Sequence, residues 1–548
     1  MRFLIVVLLA CVSACGAESE REPAGLALLN ATIWTGDPDN PIAEAILIEG
    51  DRIVAIGSSS SIRPQIGQAR VIDATGRFVV PGFIDSHVHF LDGGFKLSSV
   101  QLRDADTPEE FARRIGEFAK TVPAGAWITG GDWDHQLWGG ELPHRAMVDE
   151  LTPAHPVWVN RLDGHMALAN SLALELAGVT RDTADVAGGT IERDGNGDPT
   201  GVLKDNAMDL VFDVLPPPDD AAYDRALEAA TSHLAARGVT SVHHMGSWDT
   251  LAVVQRARDH GTLKTRVYAA VPLADWERLR DEVAKHGRGD AWLRYGVLKG
   301  FVDGSLGSHT AAFHAPFDDK PSDRGFFINT EEDLQTWISG ADAAGLHVVV
   351  HAIGDRANEK LLDIFERVAR ENGARDRRFR IEHAQHLRPE DIPRFAELGV
   401  IASMQPYHAI DDGRWAERYI GPIRIQTTYA FQSLLDAGAT LAFGSDWTVA
   451  PATPVEGIYA AVTRRTLDDA NPEGWVPNEK ISVEEALVAY TRNGAYASHE
   501  EHEKGMLKLG YLADLVVLDS DLTRISPEEI GNAEVVMTIV GGEIVYQP

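Results

Sequence analysis

Val79-Val80-Pro81-Gly82-Phe83-Ile84-Asp85-Ser86-His87-Val88-His89 is the stretch on which the fold turns. An apolar, β-branched run ends in a His-x-His pair. Side chains alternate along a strand, so His87 and His89 share one face and Val88 points away. Two imidazoles side by side at a strand end make half of a metal site. The pair alone carries little weight: 20 His in 548 residues give roughly 0.7 such pairs by chance. What closes the later strands gives it weight.

Beyond this stretch the pattern alternates strand and helix. Strands are predicted near 79–89, 239–245, 266–271, 295–302, 346–351, 378–383, 399–404 and 440–445. Helical patterns follow most of them, over 249–260, 274–286, 331–344, 356–371, 389–397, 428–437 and 455–463. Thr330 followed by Glu331-Glu332-Asp333 is a helix start signal. Eight strands alternating with helices predict an α/β fold, a (β/α)8 TIM barrel, with functional residues at the C-terminal strand ends. The first strand ends in His87 and His89, and the fourth carries Lys299. The fifth ends in His351, the sixth in His383, and the eighth in Asp446 after Gly444-Ser445. Singly, each has an ordinary reading as a satisfied core histidine or a helix cap. Jointly they do not, because buried apolar strands rarely end in charge unless the charge is used.

Outside the barrel, residues 26–78 alternate short strands and turns, with a hairpin around Glu49-Gly50-Asp51. Residues 505–548 mirror them. Both ends are too small to stand alone, so one β-sandwich built from both is predicted, with the barrel spanning 79–504. About 130 residues separate the first two barrel strands, far more than a βα loop needs. This insert, near 95–218, contains a hairpin pattern over Gly189 to Leu203 and is expected to cap the barrel mouth. Trp133, Trp138 and His165 are its candidates to shape a substrate pocket. The tryptophans serve equally well as the insert's own core. His165, after Asp163-Gly164, sits on a polar loop over the site.

The N-terminus opens with Met1-Arg2, an apolar run from Phe3 to Ala10, and small residues before Cys15. That is a secretory signal, too short to span a bilayer, which takes ~20 apolar residues. It resembles the bacterial lipoprotein signal, in which residues 1–14 would be removed and Cys15 lipidated. An ordinary signal with an incidental cysteine is the alternative. Residues 15–25 would then be a tether, and the protein would be exported to the bacterial envelope, facing the periplasm. The chain has 2 cysteines, Cys11 and Cys15, so the mature body has no disulfide and no thiolate ligand. A metal must be held by His, carboxylate or another oxygen ligand. With 50 basic and 82 acidic residues the formal charge is −32. This opposes nucleic acid and anionic lipid as partners and leaves the lipid anchor as the one membrane contact.

Pro81 to His89, the lone strand-end histidines, Gly444-Ser445-Asp446 and Gly510-Tyr511-Leu512-Ala513-Asp514-Leu515-Val516-Val517 together resemble the amidohydrolase superfamily of metal-dependent hydrolases. More narrowly, Lys299 to Gly307, Ile381-Glu382-His383-Ala384-Gln385 and the long insert resemble the N-substituted formamide deformylase group. The resemblance implies a hydrolase that cleaves an amide-type C–N bond of a small-molecule amide with metal-activated water. It implies His87, His89, Lys299, His351, His383 and Asp446 as ligands to one or two divalent ions, zinc foremost. Asp446 would also be the catalytic proton shuttle. In binuclear relatives the strand-four lysine is carbamylated and bridges the metals. An unmodified Lys299 would repel two cations and would instead contact substrate beside a single ion. Asp303 and His309, with His165 and Trp133, are expected substrate contacts. A dipeptidase or cyclic amide or imide hydrolase on the same site is the enzymatic alternative. A non-catalytic envelope binding lipoprotein is the alternative of another class.

Overall fold

The computed structural model describes residues 25–548. The expected signal, Cys15 and all of the tether but Gly25 lie outside the described residues. Eight parallel strands form the barrel: β1 Phe83–Val88, β2 Val239–Met245, β3 Arg266–Pro272, β4 Leu293–Phe301, β5 His347–Ala352, β6 Arg380–His383, β7 Ile401–Met404 and β8 Thr440–Phe443. They pair in chain order from β1 to β8. Just past β8 the ring closes on β1: Asp446 N–H donates to His87 O, and His89 N–H to Trp447 O, both at 2.7 Å. The closure is why Gly444-Ser445-Asp446 lies beside the His-x-His pair although more than half the chain separates them.

The strands are largely buried because helices cover the outside and side chains fill the inside. β5, His-Val-Val-Val-His-Ala, is buried at every position. The helix after it, Asp355–Asn372, lays Leu361, Leu362, Phe365 and Val368 along one buried stripe, the spacing of an amphipathic helix on a core. Thr330 caps the Glu331–Ala343 helix, its Oγ1 accepting from Asp333 N–H at 3.1 Å, as the start signal indicated.

The 79–89 run is two strands rather than one. Phe78–Pro81 belongs to the sandwich, between Thr32–Trp34 and Leu515–Leu518. At Gly82 the chain changes sheets: Gly82 N–H donates to Asp514 O at 2.9 Å, then Phe83 N–H to Gly238 O at 3.1 Å. A side chain at 82 would overlap Thr240, so glycine is what lets the chain cross there. The sandwich has a four-stranded sheet from the N-terminal segment and a six-stranded sheet that mixes both chain ends. Leu28, Ile46, Ile48, Val79, Leu515, Val517 and Ile539 share their core. A buried ion pair joins sandwich to barrel, with Arg266 Nε 2.6 Å from Asp514 Oδ2.

The insert carries its own six-stranded sheet, in which Gly189–Arg193 and Pro199–Asp205 form the expected antiparallel hairpin. Here the expectation for Trp133 is corrected. Its ring is fully buried with Val159 and Leu168, its edge meets Phe111, and its Nε1–H donates to Val159 O at 2.8 Å. Trp138 packs on the same Phe111. Both tryptophans hold the insert together, the outcome favoured when an indole finds apolar neighbours and a single acceptor. No helix among the described residues is long and apolar enough to cross a membrane.

Candidate metal centre

At the C-terminal strand ends the predicted residues converge. Asp446 Oδ1 lies 3.5 Å from His87 Nε2 and 3.3 Å from His89 Nε2. Its Oδ2 lies 4.0 Å from His383 Nδ1. The His383 ring centroid is 4.9 Å from that of His87 and 4.5 Å from that of His351. His87, His383 and Asp446 each offer a ligand atom within 4.8 Å of the others.

The other nitrogen of each ring explains what these atoms are for. His87 Nδ1 meets Glu382 Oε2 at 2.6 Å, so it carries the proton and Nε2 keeps its lone pair. His383 Nδ1 donates to Gln405 Oε1 at 2.8 Å, leaving Nε2. His351 Nε2 donates to Gly304 O at 3.0 Å, leaving Nδ1. Three imidazoles are thus fixed as neutral donors with one lone pair free, which is how metal-binding histidines are oriented. Burial pushes His87 down to about 4 and holds His351 and His383 well below the ordinary histidine range. Burial alone would raise the Asp446 carboxyl, but His87, His89 and His383 outweigh it and hold it well below the carboxylate range. Among the described residues His87 Nε2 and Asp446 Oδ1 are buried without a hydrogen-bond partner. Buried polar atoms are rarely left so, and a divalent cation fits this donor set. Positive φ at His383 (74°), Ala384 (44°) and Asp446 (57°) marks the same place. Such backbone costs about 1–3 kcal/mol each and clusters at functional sites.

Lys299 is buried close by, its Nζ 4.4 Å from the Phe301 ring centroid, and burial pushes it down to about 8. It has no hydrogen bond or ion pair among the described residues. His165 reaches the site from the insert, its ring 5.1 Å from His351 and its Nδ1 2.7 Å from Asp205 Oδ1. Burial lowers its pKa, but Asp205, Asp163 and Asp303 raise it more, to above the ordinary histidine value. Asp163 ties the insert to the loop after β4, accepting from Arg161 at 2.6 Å, from Ser308 at 3.1 Å and from Ser305. Two predicted contacts are otherwise engaged. Asp303 accepts from Ala312, Ile353 and Gly354 N–H at 2.7, 3.0 and 2.8 Å, and so anchors loops. His309 pairs with Asp319 at 3.0 Å and stacks on Tyr419.

Other residues at the site were not singled out from the sequence. Glu382 sits between His87 and Arg380, whose NH2 is 2.9 Å from Glu382 Oε1. Arg380 also reaches Ser86 O at 2.6 Å, Ser403 Oγ at 2.9 Å and His243 Nδ1 at 2.7 Å. Burial would raise Glu382, yet Arg380 and His87 bring it down to about 2. In Arg380-Ile381-Glu382-His383 the signal was present: two opposite charges at period two in a buried strand, on the inward face. Asp85 accepts from Ser445 N–H at 2.9 Å and Ser445 Oγ–H at 2.5 Å, locking β1 to the end of β8. His408, in the helix after β7, brings Nε2 to 3.9 Å from Asp446 Oδ2 and has no partner for that atom.

The amidohydrolase family profile matches residues 70–546. The chain belongs to the amidohydrolase family. Among its relatives, Protein LONG AFTER FAR-RED 3 of Arabidopsis thaliana is 40% identical over 550 residues, covering 96% of this chain and 93% of that one. N-substituted formamide deformylase of Arthrobacter pascens is 30% identical over 544 residues, covering 95% and 98%. Among solved structures, an uncharacterized metal-dependent hydrolase from Pyrococcus horikoshii superposes with a TM-score of 0.75 at 28% identity, covering 92% of this chain and 99% of that one. This amidohydrolase is therefore a metal-dependent hydrolase in fold and family. The alternative of a non-catalytic binding protein finds no support among these relatives.

Proposed function

We propose that this amidohydrolase cleaves the amide-type C–N bond of a small molecule, with N-substituted formamides as the substrate class to test first. The carrying observation is the set of three neutral imidazoles, each with one free lone pair, around an ionised Asp446. His87, His89, His351, His383 and Asp446 would hold the metal. Lys299 would join them as a carbamate with two ions, or contact substrate beside one. A divalent cation there supplies Lewis acidity and makes water nucleophilic near neutral pH. Asp446 accepts the attacking water's proton and returns it to the leaving nitrogen. His165, held by Asp205, donates to the substrate carbonyl oxygen from the insert side. The likeness to the Arthrobacter pascens deformylase supports the formamide reading.

A formate-release assay on N-substituted formamides, run beside dipeptides and cyclic imides, tests it. Turnover of formamides, lost on chelation and restored by zinc, is the expected result. Hydrolysis of dipeptides or imides with formamides untouched would refute the deformylase reading.

The proposed location is the bacterial envelope, through lipid on Cys15. Several acyl chains hold a protein firmly where one does not. Wild-type protein should fractionate with detergent-extractable membranes, and Cys15→Ser should not be processed by lipoprotein signal peptidase. Wild-type protein wholly in the soluble periplasmic fraction would refute anchoring.

A further inference from the structure

The strands begin at the face of the barrel opposite the metal centre, and there a recess of about 250 Å3 lies among Arg288, Arg294, Arg375 and Arg377, with Tyr268 and His347. Arg294 is the second residue of β4 and His347 the first of β5. Four guanidiniums around one recess stand out in a chain of formal charge −32. Two are compensated: Asp342 Oδ1 lies 2.5 Å from Arg375 and 2.9 Å from Arg377. Asp376, also at the recess, is 2.8 Å from Arg378. Among the described residues the Arg288 side chain meets only carbonyls, Gly296 O at 3.3 Å and Gly345 O at 2.6 Å, which leave its charge unbalanced. The half-buried Arg294 side chain has no hydrogen bond or ion pair among the described residues.

The rest of the lining is a fixed polar surface. His347 Nε2 donates to Arg378 O at 2.7 Å, so its Nδ1 accepts from Tyr268 OH at 2.9 Å. The ring is thereby neutral and immobile. His499 stands edge-on to it at 5.2 Å, held with φ at 58°. A recess with excess guanidinium charge and an uncommitted Arg fork suits an oxyanion, because guanidinium pairs with phosphate in bidentate fashion. The volume is below the ~300–1,000 Å3 of drug-sized pockets, which limits the ligand to a small molecule. The acidic surface opposes docking on an anionic membrane.

We propose that this recess is a second ligand site, for a small soluble phosphomonoester, with Arg294 as its principal anchor. Neither the hydrolase reaction nor its metal is needed for this, and the site stands apart from the function proposed above.

Calorimetry with glycerol 3-phosphate on the metal-loaded full chain at constant ionic strength tests it. One site is expected on wild type, weakened about tenfold or more by Arg294→Gln, as fits loss of a charge-assisted hydrogen bond. Arg294→Lys, which keeps the charge but not the fork, should fall between. His89→Ala, at the opposite face, should bind as wild type. Since the Arg294 guanidinium has no partner, its variants should fold and retain hydrolase turnover. No binding by wild type, equal binding by Arg294→Gln, or loss in His89→Ala would each overturn the proposal. Tighter binding of succinate than of the phosphomonoester would overturn the ligand class.

Discussion

Asp446→Asn should lower kcat by about 10²–10⁴-fold, the range for lost general acid–base catalysis, while most of the metal stays bound. The backbone makes this a clean experiment. Asp446 has φ of 57°, a conformation asparagine tolerates as well as aspartate. Its N–H holds His87 O at 2.7 Å in either residue. The variant keeps size, one oxygen ligand and the closure between β8 and β1, and loses the negative charge and with it the ability to take a proton. Were Asp446 merely a turn residue after β8, activity per bound metal would be nearly normal. An Asn variant with more than about a tenth of wild-type kcat would remove Asp446 from the mechanism. Turnover and metal content measured on the same preparation decide it.

The second large effect is expected at Glu382, which touches no substrate. Glu382→Gln leaves Arg380 buried with no carboxylate, and breaking a buried pair in this way costs about 3–5 kcal/mol. It also replaces the charged acceptor that orients His87 by a neutral amide oxygen. Metal affinity should then fall about 10–100-fold, as for other outer partners of ligating histidines. The same pair gives the wild type an acid limit. The Glu382 carboxyl titrates near about 2 when folded, against 4.5 unperturbed, so its stabilisation is complete above the unfolded value. It is lost as pH falls from there toward the folded value. Glu382→Gln should lack that portion of the acid-induced loss. Urea unfolding at pH 7 and at pH 3.5, with metal competition, checks all three. A variant as stable as wild type with unchanged metal affinity would contradict the relay from Arg380 through Glu382 to His87.

The barrel was legible because strand and helix patterns alternate along the chain, a signal that depends on local sequence alone. His87, His351, His383 and Asp446 were found because the C-terminal strand ends of such a barrel converge. His408 escaped the same logic because it follows Pro406 inside a helix and does not end a strand. Glu382 stands two residues after Arg380 in a buried strand, a readable sign of an inward charge, but its partner on the ring lies 295 positions away, which no local spacing reveals. The change of sheets at Gly82 was hidden since the apolar run continues through it, first in the sandwich core and then in the barrel. Trp133 shows the opposite limit. An indole in a polar-looking segment suits a pocket or a core equally, and only the packing of Phe111, Val159 and Leu168 around it decides.

Anomalous diffraction at the zinc edge, on crystals of protein purified without chelator, tests whether a metal sits at the C-terminal strand ends. A peak is expected among His87, His89, His383 and Asp446, with density on Lys299 Nζ and a second peak toward His351 if the lysine is carbamylated. No peak at these strand ends in protein that turns over substrate, or a peak elsewhere on the chain, would contradict it.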